Sequence, residues 1–182
     1  PHFSTMSFAD ILQYVQSHPA LDVSTRVMAL CHAVKKNART RDRRVTAMIE
    51  QISREAEALT PRDIATTMVS CGRLYYKNRR VLRSILGAVP AVAGCFTSQD
   101  IANTLNAIAK LDYKDDAVMQ CLLQEVRRKA RDFNSQAIAN TLNAMSKLDY
   151  KDDALMQCLL QEAQRKARDL NAQNIANTLN AM

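Results

Sequence analysis

The heptapeptide Ile-Ala-Asn-Thr-Leu-Asn-Ala occurs three times, at Ile101–Ala107, Ile138–Ala144 and Ile175–Ala181, each copy 37 residues after the last. A fixed period of this size restricts the chain to repeat architectures, in which each unit buries its apolar face only against its neighbours. The copies sit inside longer matches: between Ser98–Phe133 and Ser135–Leu170, 29 of 36 positions are identical. Core changes within them, such as Ile108 to Met145 and Val118 to Leu155, roughly conserve volume.

The units are predicted to be helical. Good helix formers dominate them, and three Gly and four Pro are too few for a sheet protein rich in tight turns. Ile64, Met68, Cys71 and Leu74 correspond by position to Ile101, Leu105, Ile108 and Leu111, and to Ile138, Leu142, Met145 and Leu148. Their spacing gives the apolar stripe of a first, or A, helix. Val81, Leu82, Ile85 and Leu86 correspond to Val118, Met119, Leu122 and Leu123, and to Leu155, Met156, Leu159 and Leu160, the stripe of a second, or B, helix. Capping residues return in the same register at Thr60, Thr97, Asn134 and Asn171. Thr60 is followed by Pro61 at the first helical position and by Asp63 in the first turn, both favourable there.

Upstream, Ser24 is expected to cap an A helix carrying Val27, Leu30, Cys31 and Val34. Val45, Met48 and Ile49 fall in the B register, and Phe8, Ile11 and Leu12 open the chain in another B helix, from about Ser7 to Gln16. Near Pro90 and Gly94 the B helix that begins near Asn78 is expected to be cut short, with a loop leading to Thr97. The expected fold is all-α, a single helical repeat array over residues 1–182, built as an α-solenoid of helix-turn-helix hairpins stacked into a right-handed superhelix. Its parts are a partial repeat at 7–22, repeats at about 23–59, 60–96, 97–133 and 134–170, and a partial repeat at 171–182. Because it stops partway through a unit, it is expected to be a piece of a longer array.

Five cysteines, an odd number with no CxxC pair, indicate neither a disulfide framework nor a zinc site, and suit a reducing compartment. No Ser/His/Asp set, metal-ligand cluster or phosphate-cradling Gly loop is present, so no enzyme activity, cofactor or metal is expected. No apolar run approaches the roughly 20 residues of a membrane span, so no membrane insertion is expected. The net charge of +7 favours a polyanionic partner. Its excess lies wholly in residues 1–95, with 14 Lys and Arg against 7 acids, while 96–182 carry 11 of each.

On a helical wheel, Gln99, Asn103, Asn106 and Lys110 share the side of the A helix opposite Ile101, Leu105 and Ile108. Their equivalents are Gln136, Asn140, Asn143 and Lys147, then Gln173, Asn177 and Asn180. Upstream they are Arg62, Thr66, Val69 and Arg73, and, counting back 37, Thr25, Ala29, His32 and Lys36. If the A helices line a concave face, Lys36, Arg73, Lys110 and Lys147 form a cationic row with side-chain amides beside it. Amides that donate and accept suit base edges, and the cations suit phosphates. The opposing reading is structural: Asn can bridge neighbouring repeats, and a terminal Lys complements the helix dipole. The clusters Arg127–Arg131 and Arg165–Arg168 end helices opened by Asp115, Asp116, Asp152 and Asp153, which is ordinary helix design. The basic junction Lys35, Lys36, Arg39, Arg41, Arg43 and Arg44, with only Asp42 against it, is a further candidate grip on phosphates.

The block SQDIANTLNAIAKLDYKDDAVMQCLLQEVRRKA resembles octotricopeptide repeats and the related heptatricopeptide repeats, the latter better matched by the 37-residue period. The resemblance covers roughly residues 24–182 and is strongest after Ser98. It implies an α-solenoid that binds single-stranded or ribosomal RNA, within an organellar ribonucleoprotein such as a mitochondrial ribosome. Other ribonucleoprotein subunits would be further partners. Mitochondrion or plastid is the implied location, with bacterial or host cytoplasm as the alternative. The family often places an aromatic where this chain has Asn106, Asn143 and Asn180, so stacking by that residue is not available here. The alternative function is a protein-binding scaffold of the same fold.

Overall fold

The computed structural model describes residues 2–166 and is all-helical, with no strand among them. The helices are α1 (Phe8–Ser17), α2 (Val23–Lys35), α3 (Arg43–Arg54), α4 (Pro61–Leu74), α5 (Arg79–Gly87), α6 (Val89–Val92), α7 (Ser98–Leu111), α8 (Asp116–Lys129), α9 (Ser135–Lys147) and α10 (Asp153–Arg165). Short 3-10 turns follow at Ala56–Ala58, Ala93–Cys95 and Ala130–Asp132. The segment after α5 is therefore the helix α6 and a 3-10 turn rather than the expected loop. Pro90 near the start of α6 is compatible with it, since the first helical N–H groups have no intrahelical partner. None of these helices is long and apolar enough to cross a membrane.

Caps explain where the A helices begin. Thr60 and Thr97 each accept from the backbone N–H of the residue three later, while Asp63 and Asp100 reach back to the cap N–H, a reciprocal capping box. Asn134 caps α9 through Ala137. The residue before each cap (Leu59, Phe96, Phe133) and the fourth helical residue (Ile64, Ile101, Ile138) are all buried, the two positions of a hydrophobic staple. At the other end, Tyr75, Asp112 and Asp149 have φ of 51°, 51° and 55°. The next residue returns a hydrogen bond to the helix: Tyr76 N–H to Cys71 O, Tyr113 to Ile108 and Tyr150 to Met145.

Most of the predicted stripe residues are buried: Ile64, Met68, Cys71, Ile101, Leu105, Ile108, Ile138, Leu142 and Met145 from the A helices, with Val81, Leu82, Ile85, Leu86, Val118, Leu122 and Leu155 from the B helices, while Cys31 and Val34 of α2 and Met156 and Leu160 of α10 are half-buried. Each such side chain contributes about 1.5–3 kcal/mol. α2 packs on α4, α4 on α7 and α7 on α9, while α3 packs on α5. The A helices run the same way. Ser24 Oγ near the start of α2 donates to Asp63 Oδ2 near the start of α4 at 2.8 Å, and Gly72 in the last turn of α4 faces Ala107 of α7. A Cβ added to Gly72 would lie 3.5 Å from the Ala107 Cα, so small residues set this close approach.

Two expectations for the first repeat need correction. Asp22, not Ser24, caps α2, through Thr25. Its left-handed terminal residue is Asn37 (φ 67°), and Ala38 N–H returns to Ala33 O, so the offset from α2 to α4 is 38 residues and not 37. Ala29, placed on the polar stripe by the 37-residue count, is fully buried for this reason. In the 38-residue register Arg26 occupies the staple position held elsewhere by Ile64, Ile101 and Ile138. It is 1% exposed, pairs with Glu55 at 2.6 Å and donates to Leu21 O at 2.8 Å and Pro19 O at 3.3 Å. A junction two residues longer than in later repeats, from Asn37 to the α3 cap Asp42, absorbs much of the change.

Candidate nucleic-acid interface

Because α4, α7 and α9 lie side by side in parallel, residues at matching positions form rows across them. Arg62, Gln99 and Gln136 are exposed near the helix starts, and Arg73, Lys110 and Lys147 are exposed in the last turns. Between them Thr66, Asn103, Asn106 and Asn140 are half-buried. Asn143 is more enclosed than expected, at 8% exposure. Gln99 Nε2 donates to Asn103 Oδ1 at 3.0 Å within α7, so this amide pair is coupled along the helix. Asn177 and Asn180, with the last partial repeat, lie outside the described residues.

A groove of about 560 Å³ runs between the N-terminal halves of α4 and α7, lined by Arg62, Thr66, Cys95, Gln99, Asp100 and Asn103 among others. It therefore gathers two members of each of the first two rows, Arg62 with Gln99 and Thr66 with Asn103, and none of the cationic row in the last turns. At the other end, Lys110 Cδ would lie 3.8 Å from a Cβ on Gly72, so the Lys110 stem crosses towards α4 while its ammonium stays exposed. Arg73, Lys110 and Lys147 take no part in the ion pairs among the described residues. They remain available to an external anion.

The 38-residue offset changes which residue of α2 joins this row. Lys35, exposed in the last turn, takes the position equivalent to Arg73, while Lys36 is the half-buried residue ending the helix. Both lie near His32, whose imidazole pKa is lowered by burial and then by the charges of Lys35 and Lys36. In the junction beyond, Arg39, Arg41 and Arg43 are exposed. Arg44 is engaged: its Nε and Nη2 donate to Asp42 at 3.0 and 2.8 Å. That bidentate pair holds the Asp42 carboxyl below its ordinary range and raises the guanidinium pKa.

The cationic clusters ending α8 and α10 are partly consumed by the fold. Lys129 Nζ donates to the carbonyls of Gly94 and Phe96 at 2.8 and 2.6 Å. Lys166 repeats this 37 residues later on Arg131 and Phe133, at 2.7 and 2.5 Å. Arg127 pairs with Asp152, and Arg128 and Arg165 pair with Glu125 and Glu162. These lysines clamp each B helix to the turn of the preceding unit. Sequence reasoning missed both the clamp and the basic run that follows Arg73, namely Lys77, Arg79, Arg80 and Arg83, with no acid between residues 73 and 83. The charge count of that window was the available signal.

Among the described residues no group of three or more His, Cys, Asp or Glu is placed to hold a metal ion. Cys71 is in the core, and burial pushes its thiol up to about 12, while Cys95 is exposed at the groove. Cys121 and Cys158 are partly buried in the B helices, in keeping with packing roles.

Residues 57–182 match the family model of the RNA-editing substrate-binding complex 6 protein. No curated protein matches the chain.

Proposed function

Since the chain belongs to the RNA-editing substrate-binding complex 6 family, we propose that it is an RNA-binding subunit of a ribonucleoprotein, holding single-stranded RNA along its row of A helices. The observation that carries this reading is the line of exposed cations at Lys35, Arg73, Lys110 and Lys147, on parallel neighbouring helices, beside the rows formed by Arg62, Gln99, Gln136, Asn103 and Asn140. Phosphates would follow the cations and bases would meet the amides. Asn103, Asn106 and Asn140 are half-buried and Asn143 is largely enclosed, so the exposed amides of Gln99 and Gln136 make the first contacts. Arg39, Arg41 and Arg43 extend the phosphate path beyond α2, while Lys36 and Arg44 contribute less, being half-buried and paired respectively.

The architecture that accommodates this is a right-handed α-solenoid with its A helices on the concave face. The α2–α4–α7–α9 packing order and the recurring caps support it. The heptatricopeptide or octotricopeptide type is the repeat class whose block the sequence resembles. The chain binds without chemistry of its own, in a mitochondrion or plastid. An RNA-editing assembly replaces the ribosome as the first choice of ribonucleoprotein, and its other subunits are the protein partners. Ultraviolet crosslinking in the assembled complex, followed by peptide mapping, tests the face. Crosslinks should fall on peptides from α4, α7 and α9; crosslinks confined to α8 and α10 would overturn the assignment.

A further inference from the structure

Among the described residues, the left-handed position that ends an A helix is filled by Asn37, Asp112 and Asp149 in three cases and by Tyr75 in the fourth. Asn and Asp tolerate φ above zero, whereas a bulky side chain there is strained. Packing does not repay Tyr75, which is 70% exposed. Its neighbour Tyr76 is 8% exposed, in the core position that Tyr113 also fills at 4%. Two adjacent tyrosines thus stand in opposite environments, and only Tyr76 has a structural reason to be aromatic.

The surroundings of Tyr75 are cationic. Arg73, Lys77, Arg79 and Arg80 are all exposed, within five residues on either side. The same turn after α7 carries Asp112, Asp115 and Asp116, and the turn after α9 carries Asp149, Asp152 and Asp153. An aromatic therefore replaces an acid where the turn is most basic. Because α2 and α4 pack in parallel, this turn and the Lys35–Arg43 junction lie at the same end of the A helices, joining two basic segments into one rim.

We propose that Tyr75 is a stacking platform for a base of bound single-stranded RNA, with Arg73, Lys77, Arg79 and Arg80 holding the flanking phosphates. A solvated π-face inside a cationic path is the combination that single strands recognise regardless of sequence. The proposal rests on the RNA-binding reading and adds the first aromatic contact to it. It also places the rim at the ends of the A helices, beside the groove face and not within it.

The test is fluorescence anisotropy with a labelled single-stranded RNA of mixed sequence, using the full chain and the variants Tyr75→Asn, Tyr75→Phe and Tyr75→Trp. Tyr75→Asn places there the residue that already holds this conformation at Asn37, so its melting temperature should equal or exceed that of the parent. Its RNA affinity should fall about ten-fold, the size of one lost base stack. Tyr75→Phe should bind within roughly two-fold of the parent, because the π-face remains. The chain has no Trp, so emission from Tyr75→Trp reports on this site alone and should be quenched by saturating RNA. Parent-like affinity of Tyr75→Asn, or unaltered Trp emission in the saturated complex, would overturn the stacking role. If Lys110→Glu weakens binding and Tyr75→Asn does not, only this inference falls; if the parent binds no RNA at low salt, the RNA reading falls with it.

Discussion

Asp63 and Asp100 provide a matched pair for measuring what ties α2 to α4. Both are the third residue of an A helix, and both complete a capping box with a threonine. Asp100 Oδ2 accepts from Thr97 N–H at 3.3 Å and Oγ1 at 2.6 Å. Asp63 Oδ2 accepts the same two bonds from Thr60, at 3.1 and 2.6 Å, and a third from Ser24 Oγ at 2.8 Å. Loss of the box costs about 1 kcal/mol. The extra bond, to an ionised acceptor only 8% exposed, adds about 1.5 kcal/mol. Asp63→Ala should therefore destabilise by about 2.5 kcal/mol and Asp100→Ala by about 1. The helix propensity gained on placing Ala is common to both and cancels from the difference. In thermal melts followed by far-UV circular dichroism, the drops should be about 5–10 °C and 2–4 °C. Ser24→Ala should recover most of the difference, with little effect in the Asp63→Ala background. Equal losses for the two aspartates would refute the idea that this bond couples the helices.

Gly72→Ala should stabilise the chain by about 0.5–1 kcal/mol, because its Cβ would meet Ala107 at an ordinary 3.5 Å and helix propensity improves; a lower denaturation midpoint would contradict this. Ala109 and Ser146, 37 and 74 residues on, already carry a Cβ in that register. Among the cysteines of the native protein, Cys95 should react first with maleimide and Cys71 last, read by peptide mass spectrometry, and saturating RNA should slow the reaction at Cys95 if RNA enters the groove. Acid should destabilise the fold through its capping aspartates. The Asp22 pKa is lowered first by the hydroxyl of Thr25, Asp42 by the Arg44 side chain and Asp152 by the Leu155 N–H. A depressed folded pKa gives stability that is present above the unfolded value and lost as pH falls through the folded one, so denaturation midpoints should decline below about pH 4. Replacing these three by Asn should flatten that decline.

The period made the helices legible. Thr60, Thr97 and Asn134 are capping residues in front of apolar periodicity, and both tertiary packing and local chemistry favour helix starts there. The stripes from Ile64 to Met145 were readable for the same reason. The first repeat was harder because Asp22 and Ser24 are both good caps two residues apart, and only the positive φ at Asn37 fixes the register. Counting by 37 therefore put buried Ala29 on the polar face and chose Lys36 over Lys35. Arg26 was invisible as a core residue, since a charged side chain is buried only when partners such as Glu55 and the Leu21 carbonyl are brought to it by tertiary structure. The lysine clamps, Lys129 and Lys166, depend on the neighbouring unit's carbonyls and carry no signal within their own helix. Tyr75 was concealed by Tyr76: an aromatic pair after an apolar stripe reads as core, and exposure separates the two.

The salt dependence of RNA affinity tests the central claim most directly. Each phosphate neutralised on a single strand contributes a slope of about −0.7 in log affinity against log salt. Contacts by Lys35, Arg73, Lys110 and Lys147 should together give about −3, and changing all four to Gln should remove most of that slope while leaving the circular dichroism spectrum intact. A parent protein that binds no RNA even at low salt, or a quadruple variant with the parent's slope and affinity, would contradict the account.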